Sequence, residues 1–209
     1  LIKKILIANR GEIAVRIARA CAEMGIKSVA VYADADRHSL HLKKTDEAYS
    51  LGPDTVAGYL NAHRIVNLAV AAGCDALHPG YGFLSENPLL AEICERRGIK
   101  FIGPSAEVIK RMGNKTEARR AMIAAGLPVT PGSEGNVDGL DDALVVAEEI
   151  GYPVMLKATS GGGGRGIRRC NSADELRNNY DRVVSEAEKA FGSTEVFLEK
   201  CIVDPRHIE

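Results

Sequence analysis

Short apolar runs alternate with amphipathic stretches that stop on glycine, and this alternation constrains the fold more than any other feature. The runs "IKKILIA", "KSVAVYA", "CDALHPG" and "IKFIG" are too short for helices and read as strands of a buried parallel sheet. Between the first two, Ile13, Ile17, Ala20, Cys21 and Met24 recur at helical spacing and Gly25 supplies the stop. Asn9, with Glu12 three residues on, predicts a capping box at the start of that helix. Residues 61–72 predict a second helix ending at Gly73, and Asn87-Pro88 caps a third that ends at Gly98. Ser105 caps a short fourth over "SAEVIKRM". Strand and helix alternating in this order predict an α/β domain, a Rossmann-like doubly wound parallel sheet, over residues 1–112.

Residues 113–209 read differently. "GNKTEARRAMIAAG" is a helix with Asn114 as cap, Glu117 at its third position and Gly126 as stop. "LPVTPGSEGNVDG" is turn-rich and reads as a boundary or connection. A helix over 140–150, the strand "YPVMLK", a glycine run, the strand "RGIRRC", a long helix capped by Ser172 and Glu175, and the strand "EVFLEK" follow. Leu176, Tyr180, Val183, Val184 and Ala187 form the inner stripe of that long helix. The order α–loop–α–β–β–α–β predicts an α+β lobe.

The glycine run lies in "KATSGGGGRGIRRC". Each glycine costs about 0.5–1 kcal/mol relative to alanine inside regular structure. The run is too short for a linker. It lacks the spacing and following helix of a dinucleotide fingerprint, and no Lys-Ser/Thr follows Gly164 or Gly166 as a Walker loop requires. A glycine-tipped hairpin remains, whose bare N–H groups can close on phosphate and whose tip can move as a lid. Lys157, at the end of the strand leading into it, shares a face with Met155. A plain surface hairpin with a solvated lysine also stays open on these residues alone.

Composition narrows the function classes. With 209 residues and a net charge of -1, there is no electrostatic case for nucleic acid or a membrane surface. No apolar run approaches the roughly 20 residues of a membrane span. "LIKKILIANRGE" does not read as a signal peptide. Cys21, Cys74, Cys94, Cys170 and Cys201 are scattered with no CxxC, which predicts reduced thiols in a cytoplasmic protein. His38, His41 and His63 read as surface residues, and His78 before Pro79 as a turn-fixing one. The first region has no GxGxxG, so a bound NAD is not expected. The chain opens on Leu1 and stops at "DPRHIE", and is expected to be a piece of a longer protein.

"ANRGEIAVRI", "HPGYGFLSEN", "FIGPS", "GNK", "GYPVMLKATSGGGGRGI" and "DPRHIE" occur in this order. Together they resemble the biotin carboxylase family, within the ATP-grasp superfamily, and the resemblance covers all 209 residues. It implies a Rossmann-like pre-ATP-grasp domain followed by the first portion of an ATP-grasp domain. It also implies that Lys115 binds ATP and that Lys157 contacts its phosphates. Gly161, Gly162, Gly163, Gly164 and Gly166 would form the lid, with Gly163 and Gly164 over the triphosphate. Glu199, Lys200, Cys201 and Ile202 would line the adenine, and His207 would contact the nucleotide, although alone it reads as a surface histidine. Tyr81, Gly82 and Glu86 would face the active site from their loop. The implied reaction is ATP-dependent carboxylation of carrier-bound biotin by bicarbonate, with Mg2+ or Mn2+.

The family's magnesium ligands and catalytic groups lie downstream of Glu209, so this chain is expected to carry no catalytic or metal-ligating residue and to be inactive alone. The implied partners are a biotin carboxyl carrier protein, a carboxyltransferase and a second copy of the protein, paired through the N-terminal region. Acetyl-CoA, propionyl-CoA, pyruvate and 2-oxoglutarate all fit as final acceptors, because the carboxyltransferase makes that choice. Two alternatives stand beside this reading: another ATP-grasp ligase, and a truncated paralogue that only binds nucleotide or dimerises.

Overall fold

The computed structural model describes residues 1–53, 56–159 and 166–206. The chain divides into two compact units, Leu1–Lys110 and Arg111–Glu209.

The first unit is built on β1 (Lys4–Ile7), β2 (Lys27–Ala33), β3 (Glu47–Gly52), β4 (Ala76–His78) and β5 (Lys100–Phe101). They form one parallel sheet in the order β3-β2-β1-β4-β5. The chain winds outward from β1 through β2 and β3, then crosses back to β4 and β5. The order therefore reverses between β1 and β4, where doubly wound sheets place ligands beyond their carboxyl ends. Period-two alternation sends Leu6, Val29, Val31 and Leu77 to one face, under α2 (Ala62–Ala71) and α3 (Pro88–Arg96). Ile5, Ile7 and Ala76 face the other way, under α1 (Gly11–Glu23). Leu6, Leu77, Ile65 and Leu90 are fully buried; truncating any one to alanine costs about 2–5 kcal/mol.

Three expectations for this unit need correction. β3 was not foreseen. It is an edge strand whose "EAYSLG" has one buried position, so it shows no apolar run. Its flank is held by charge, with Lys4–Glu47 at 2.6 Å and Lys27–Asp46 at 2.7 Å. Asn9 does not cap α1. The cap position is Arg10, without a side-chain hydrogen bond, because the Asn9 amide is committed to distant carbonyls instead. His41 is not a surface residue. The 3-10 turn Leu40–Lys43 folds it fully into the protein, with Nε2 3.4 Å from the Val31 carbonyl.

α4 (Ala106–Gly113), with Val108 N donating to the Ser105 hydroxyl at 3.3 Å, leads into the second unit. That unit holds α5 (Lys115–Ala124), α6 (Gly139–Ile150), β6 (Val154–Ala158), β7 (Ile167–Cys170), α7 (Ala173–Phe191) and β8 (Val196–Lys200). Its sheet is antiparallel in the order β7-β6-β8. Val154, Leu156, Cys170, Val196 and Leu198 pack on one face against Ala143, Ala147, Leu176, Tyr180 and Val183 of α6 and α7. The α/β class, the parallel first sheet and the α+β second lobe are as the sequence implies.

The segment read as a loose connection is instead pinned along β8. Lys200 N donates to Pro131 O at 2.7 Å, Ser133 N to Leu198 O at 2.9 Å, and Val137 N to Val196 O at 2.9 Å. β6 and β7 form the expected hairpin, closed by Ala158 N donating to Gly166 O at 2.8 Å. Gly166 has φ +64°, and a Cβ there would stand 2.9 Å from that of Ala158. The lid positions Gly161, Gly162, Gly163 and Gly164 lie outside the described residues, as does His207.

Candidate functional site

With α6 and α7 covering one face of the second sheet, the other face carries its chemistry. Antiparallel register places Lys157 opposite Phe197 and Met155 opposite Glu199, so all four side chains share that face. The Lys157 ammonium pairs diagonally with the Glu199 carboxylate, both side chains about three-quarters buried. α5 brings a second lysine. Asn114 Oδ1 accepts from Thr116 N at 3.1 Å and Glu117 N at 3.0 Å, which fixes the helix start and puts Lys115 in the first turn. Lys115 Nζ donates to Ala158 O at 3.0 Å. Burial holds its pKa below the usual lysine value and Lys157 adds to the shift, while Glu199 opposes it.

These groups line a cavity of about 400 Å³ within the second unit. Its polar side is Lys115, Lys157, Arg119 and Glu199; Met112, Met122 and Phe197 are among its apolar lining. Such a cavity suits a ligand with a flat apolar part and an anionic part. A larger groove of about 670 Å³ in the first unit, beside α1, has mostly aliphatic and aromatic walls, so convergent charge selects the smaller cavity.

The adjoining segment divides its tasks. Lys200 points away from the cavity, its Nζ donating to Gly151 O at 2.8 Å and Tyr152 O at 3.0 Å. The Lys200 and Cys201 amides donate to the carbonyls of Pro131 and Pro153. Cys201 is half-buried and Ile202 exposed.

In the first unit, "HPGYGFLSEN" leaves β4 at the end where the strand order reverses. Asn9, 3% exposed, donates from Nδ2 to Pro79 O at 2.7 Å and Tyr81 O at 2.8 Å. A Cβ on Gly80 would stand 2.7 Å from that nitrogen, and φ there is +67°. Gly80 N donates to His78 Nδ1 at 3.0 Å, so His78 fixes the turn; burial lowers its pKa. Tyr81 donates its hydroxyl to Glu12 and is otherwise exposed; Gly82 and Glu86 are exposed too. Phe83 stacks on the fully buried Tyr59, with centroids 5.1 Å apart. Tyr59 donates to Asp36 at 2.8 Å, which also takes both arms of Arg10. Arg10 first, and then the Tyr59 hydroxyl, hold the Asp36 carboxyl below the usual range, against the opposing effect of burial.

Sequence reasoning missed Asn9 as a loop clip, Glu12 as the partner of Tyr81, and Arg119 as a cavity residue. The first two sit directly after β1, where the sheet order alone would have directed attention. Arg119 follows Lys115 by one helical turn, a signal that was legible.

Residues 1–109 match the biotin carboxylase N-terminal domain family. The chain belongs to the biotin carboxylase family. Residues 114–209 match the carbamoyl-phosphate synthase L chain ATP-binding domain family. Among curated relatives, biotin carboxylase 1 of Bacillus subtilis is 52% identical over 210 residues, covering 100% of this chain and 47% of that protein. The 2-oxoglutarate carboxylase small subunit of Hydrogenobacter thermophilus is 51% identical over 209 residues, covering 100% of this chain and 44% of that protein. Among solved structures, the biotin carboxylase-β-γ-ATP complex from Campylobacter jejuni superposes with a TM-score of 0.93 at 48% identity, covering 99% of this chain and 46% of that one. The chain thus spans less than half the length of these relatives.

Proposed function

We propose that the protein containing this chain is a biotin carboxylase and that the second unit supplies part of its ATP site. The division of labour falls at residues 112 and 113, with the pre-ATP-grasp domain before and the ATP-grasp portion after. The observation that carries the reading is the convergence of Lys115 and Lys157 on one cavity that also has an apolar wall. Two ammonium groups neutralise phosphate charge, each charge-assisted hydrogen bond contributing about 1.5–3 kcal/mol. Lys157 reaches phosphate only by leaving or sharing Glu199, so the carboxylate holds it in place until the nucleotide arrives. The apolar wall suits the adenine. The Campylobacter jejuni structure, a complex with β-γ-ATP, supports this assignment.

In the reaction we assign, a bicarbonate oxygen attacks the γ-phosphorus and the β–γ bridge bond breaks, giving carboxyphosphate and ADP. The carboxyl group then passes to a ureido nitrogen of biotin, which gives up its proton as phosphate leaves. Magnesium, when bound, neutralises phosphate charge. Among the described residues no group of three or more His, Cys, Asp or Glu could hold a metal, and Glu199 is engaged by Lys157. Magnesium bound to a nucleotide takes one or two carboxylates besides the phosphates, and the one carboxylate lining the cavity among the described residues is committed to Lys157. We assign the protein to the cytoplasm, with a biotin carrier, a carboxyltransferase and a second copy as partners; no described helix is long and apolar enough to cross a membrane.

The match of residues 114–209 also suits a carbamoyl-phosphate synthase-like ligase. Measuring bicarbonate-dependent ATP hydrolysis by the complete protein, with and without free biotin, separates the two. Biotin should stimulate turnover severalfold; turnover indifferent to biotin rejects the biotin carboxylase assignment. The 209-residue chain alone should show no biotin-dependent turnover.

A further inference from the structure

We propose that Arg119 is a third cationic ligand of the nucleotide, donating to its phosphate oxygens; the inference rests on the nucleotide reading of the cavity above. α5 sets Lys115 and Arg119 four residues apart, on one helix face, and both line the cavity with Lys157. Arg119 Nε is buried and finds no hydrogen-bond acceptor among the described residues. Buried donors in native proteins are almost always paired, so an orphaned one at a cavity wall points to an acceptor carried by the ligand.

The next residue provides the control. Arg120, on the outer side of the same helix, is exposed and satisfied, with Nε donating to Glu134 O at 3.3 Å and Nη1 to Glu117 at 3.1 Å. Arg119 has no carboxylate within ion-pair distance among the described residues. Among the described residues, the one acidic side chain of the cavity wall, Glu199, is taken by Lys157, and Lys115 meets only a carbonyl. Among the described residues three cations thus face one anion, an excess that a polyanion removes. A guanidinium, with its planar fork of donors, matches phosphate oxygens where an ammonium acts as a point charge.

The test uses the complete protein and its Arg119→Met, Arg119→Lys and Lys157→Met variants, with dissociation constants for ATP, ADP and adenosine from calorimetry. Arg119→Met should weaken ATP about tenfold, weaken ADP less and leave adenosine unchanged, while Arg119→Lys recovers part of the loss. Melting of the nucleotide-free Arg119→Met protein should be unchanged or raised, since the buried Nε it removes has no acceptor among the described residues. Equal losses for ATP and adenosine, or a lowered melting temperature with ATP affinity intact, overturn the proposal. If Lys157→Met weakens ATP and Arg119→Met does not, this inference fails while the nucleotide reading stands. If neither variant weakens ATP, the nucleotide reading fails and takes the inference with it.

Discussion

The two units solve opposite problems. In the first, the polar groups around the "HPGYG" turn are consumed internally: Asn9 by two carbonyls, His78 by an amide, and Asp36 by Arg10 and Tyr59. In the second, the cavity between α5 and the sheet has more cations than anions among the described residues, and the Arg119 Nε in its wall has no acceptor there. A loop whose hydrogen bonds are complete is preorganised and holds its shape before any ligand arrives. A cavity whose charges are incomplete stores binding energy for an anion. The contrast teaches that the first unit should be sensitive to steric and packing changes, and the second to charge.

The sharpest test of the first half is the approach of Gly80 to Asn9. Gly80→Ala must place a Cβ 2.7 Å from Asn9 Nδ2 at a φ of +67°. Left-handed strain and overpacking each cost about 1–3 kcal/mol, so the substitution should destabilise the first unit by about 3 kcal/mol. Asn9→Ala should cost about 2 kcal/mol, because it strips the Pro79 and Tyr81 carbonyls of their donor. Combined, the two should cost clearly less than their sum, since the clash disappears with the amide. Denaturant unfolding of the four proteins gives the cycle; strict additivity would show that the amide does not set the requirement for glycine.

Legibility followed the same divide. Elements that close locally were readable. Asn87 and Asn114 announce their helices because each side chain caps amides two or three residues away. The β6 and β7 strands and the face that Lys157 takes were readable because strand alternation fixes which face a side chain takes. What escaped was set by distant partners. Asn9 looks like a cap until β4 arrives beside β1 in the folded sheet. His41 looks exposed until its 3-10 turn carries it under the chain, and β3 has no apolar run because it lies at the edge. The Lys157–Glu199 pair joins strands 42 residues apart in sequence.

His41 supplies a smaller effect, in pH. Burial dominates in lowering its pKa from 6.5, with Arg10 adding to the shift and Asp36 and the Val31 carbonyl opposing it. The unfolded chain therefore takes up the proton first. Stability is complete above about pH 6.5 and falls as the pH drops below it, by at most about 1.4 kcal/mol per pH unit for one group. His78, also lowered by burial, adds in the same direction. His41→Asn should flatten the slope between pH 6.5 and 5.5 in thermal melts. An unchanged slope would mean that the imidazole accepts its proton without leaving the core, contrary to the closed packing drawn for the first unit.

The smallest effect expected belongs to the second unit and has a different signature. Glu199→Gln removes the one acidic group of the cavity wall among the described residues and leaves Lys115, Arg119 and Lys157 facing one another. About a quarter of each side chain stays in solvent, so the freed ammonium can rehydrate and the loss should cost about 1 kcal/mol. Because the cost is electrostatic, it should shrink as salt is raised from about 0.01 to 1 M, where the screening length falls from about 30 to 3 Å. The Gly80→Ala penalty in the first unit should hold steady over the same range. Melting both variants across a salt series therefore separates the two causes. A Glu199→Gln penalty that ignores salt would place that side chain with the packing residues, and the cavity would then lack the charge imbalance that distinguishes it from the first unit.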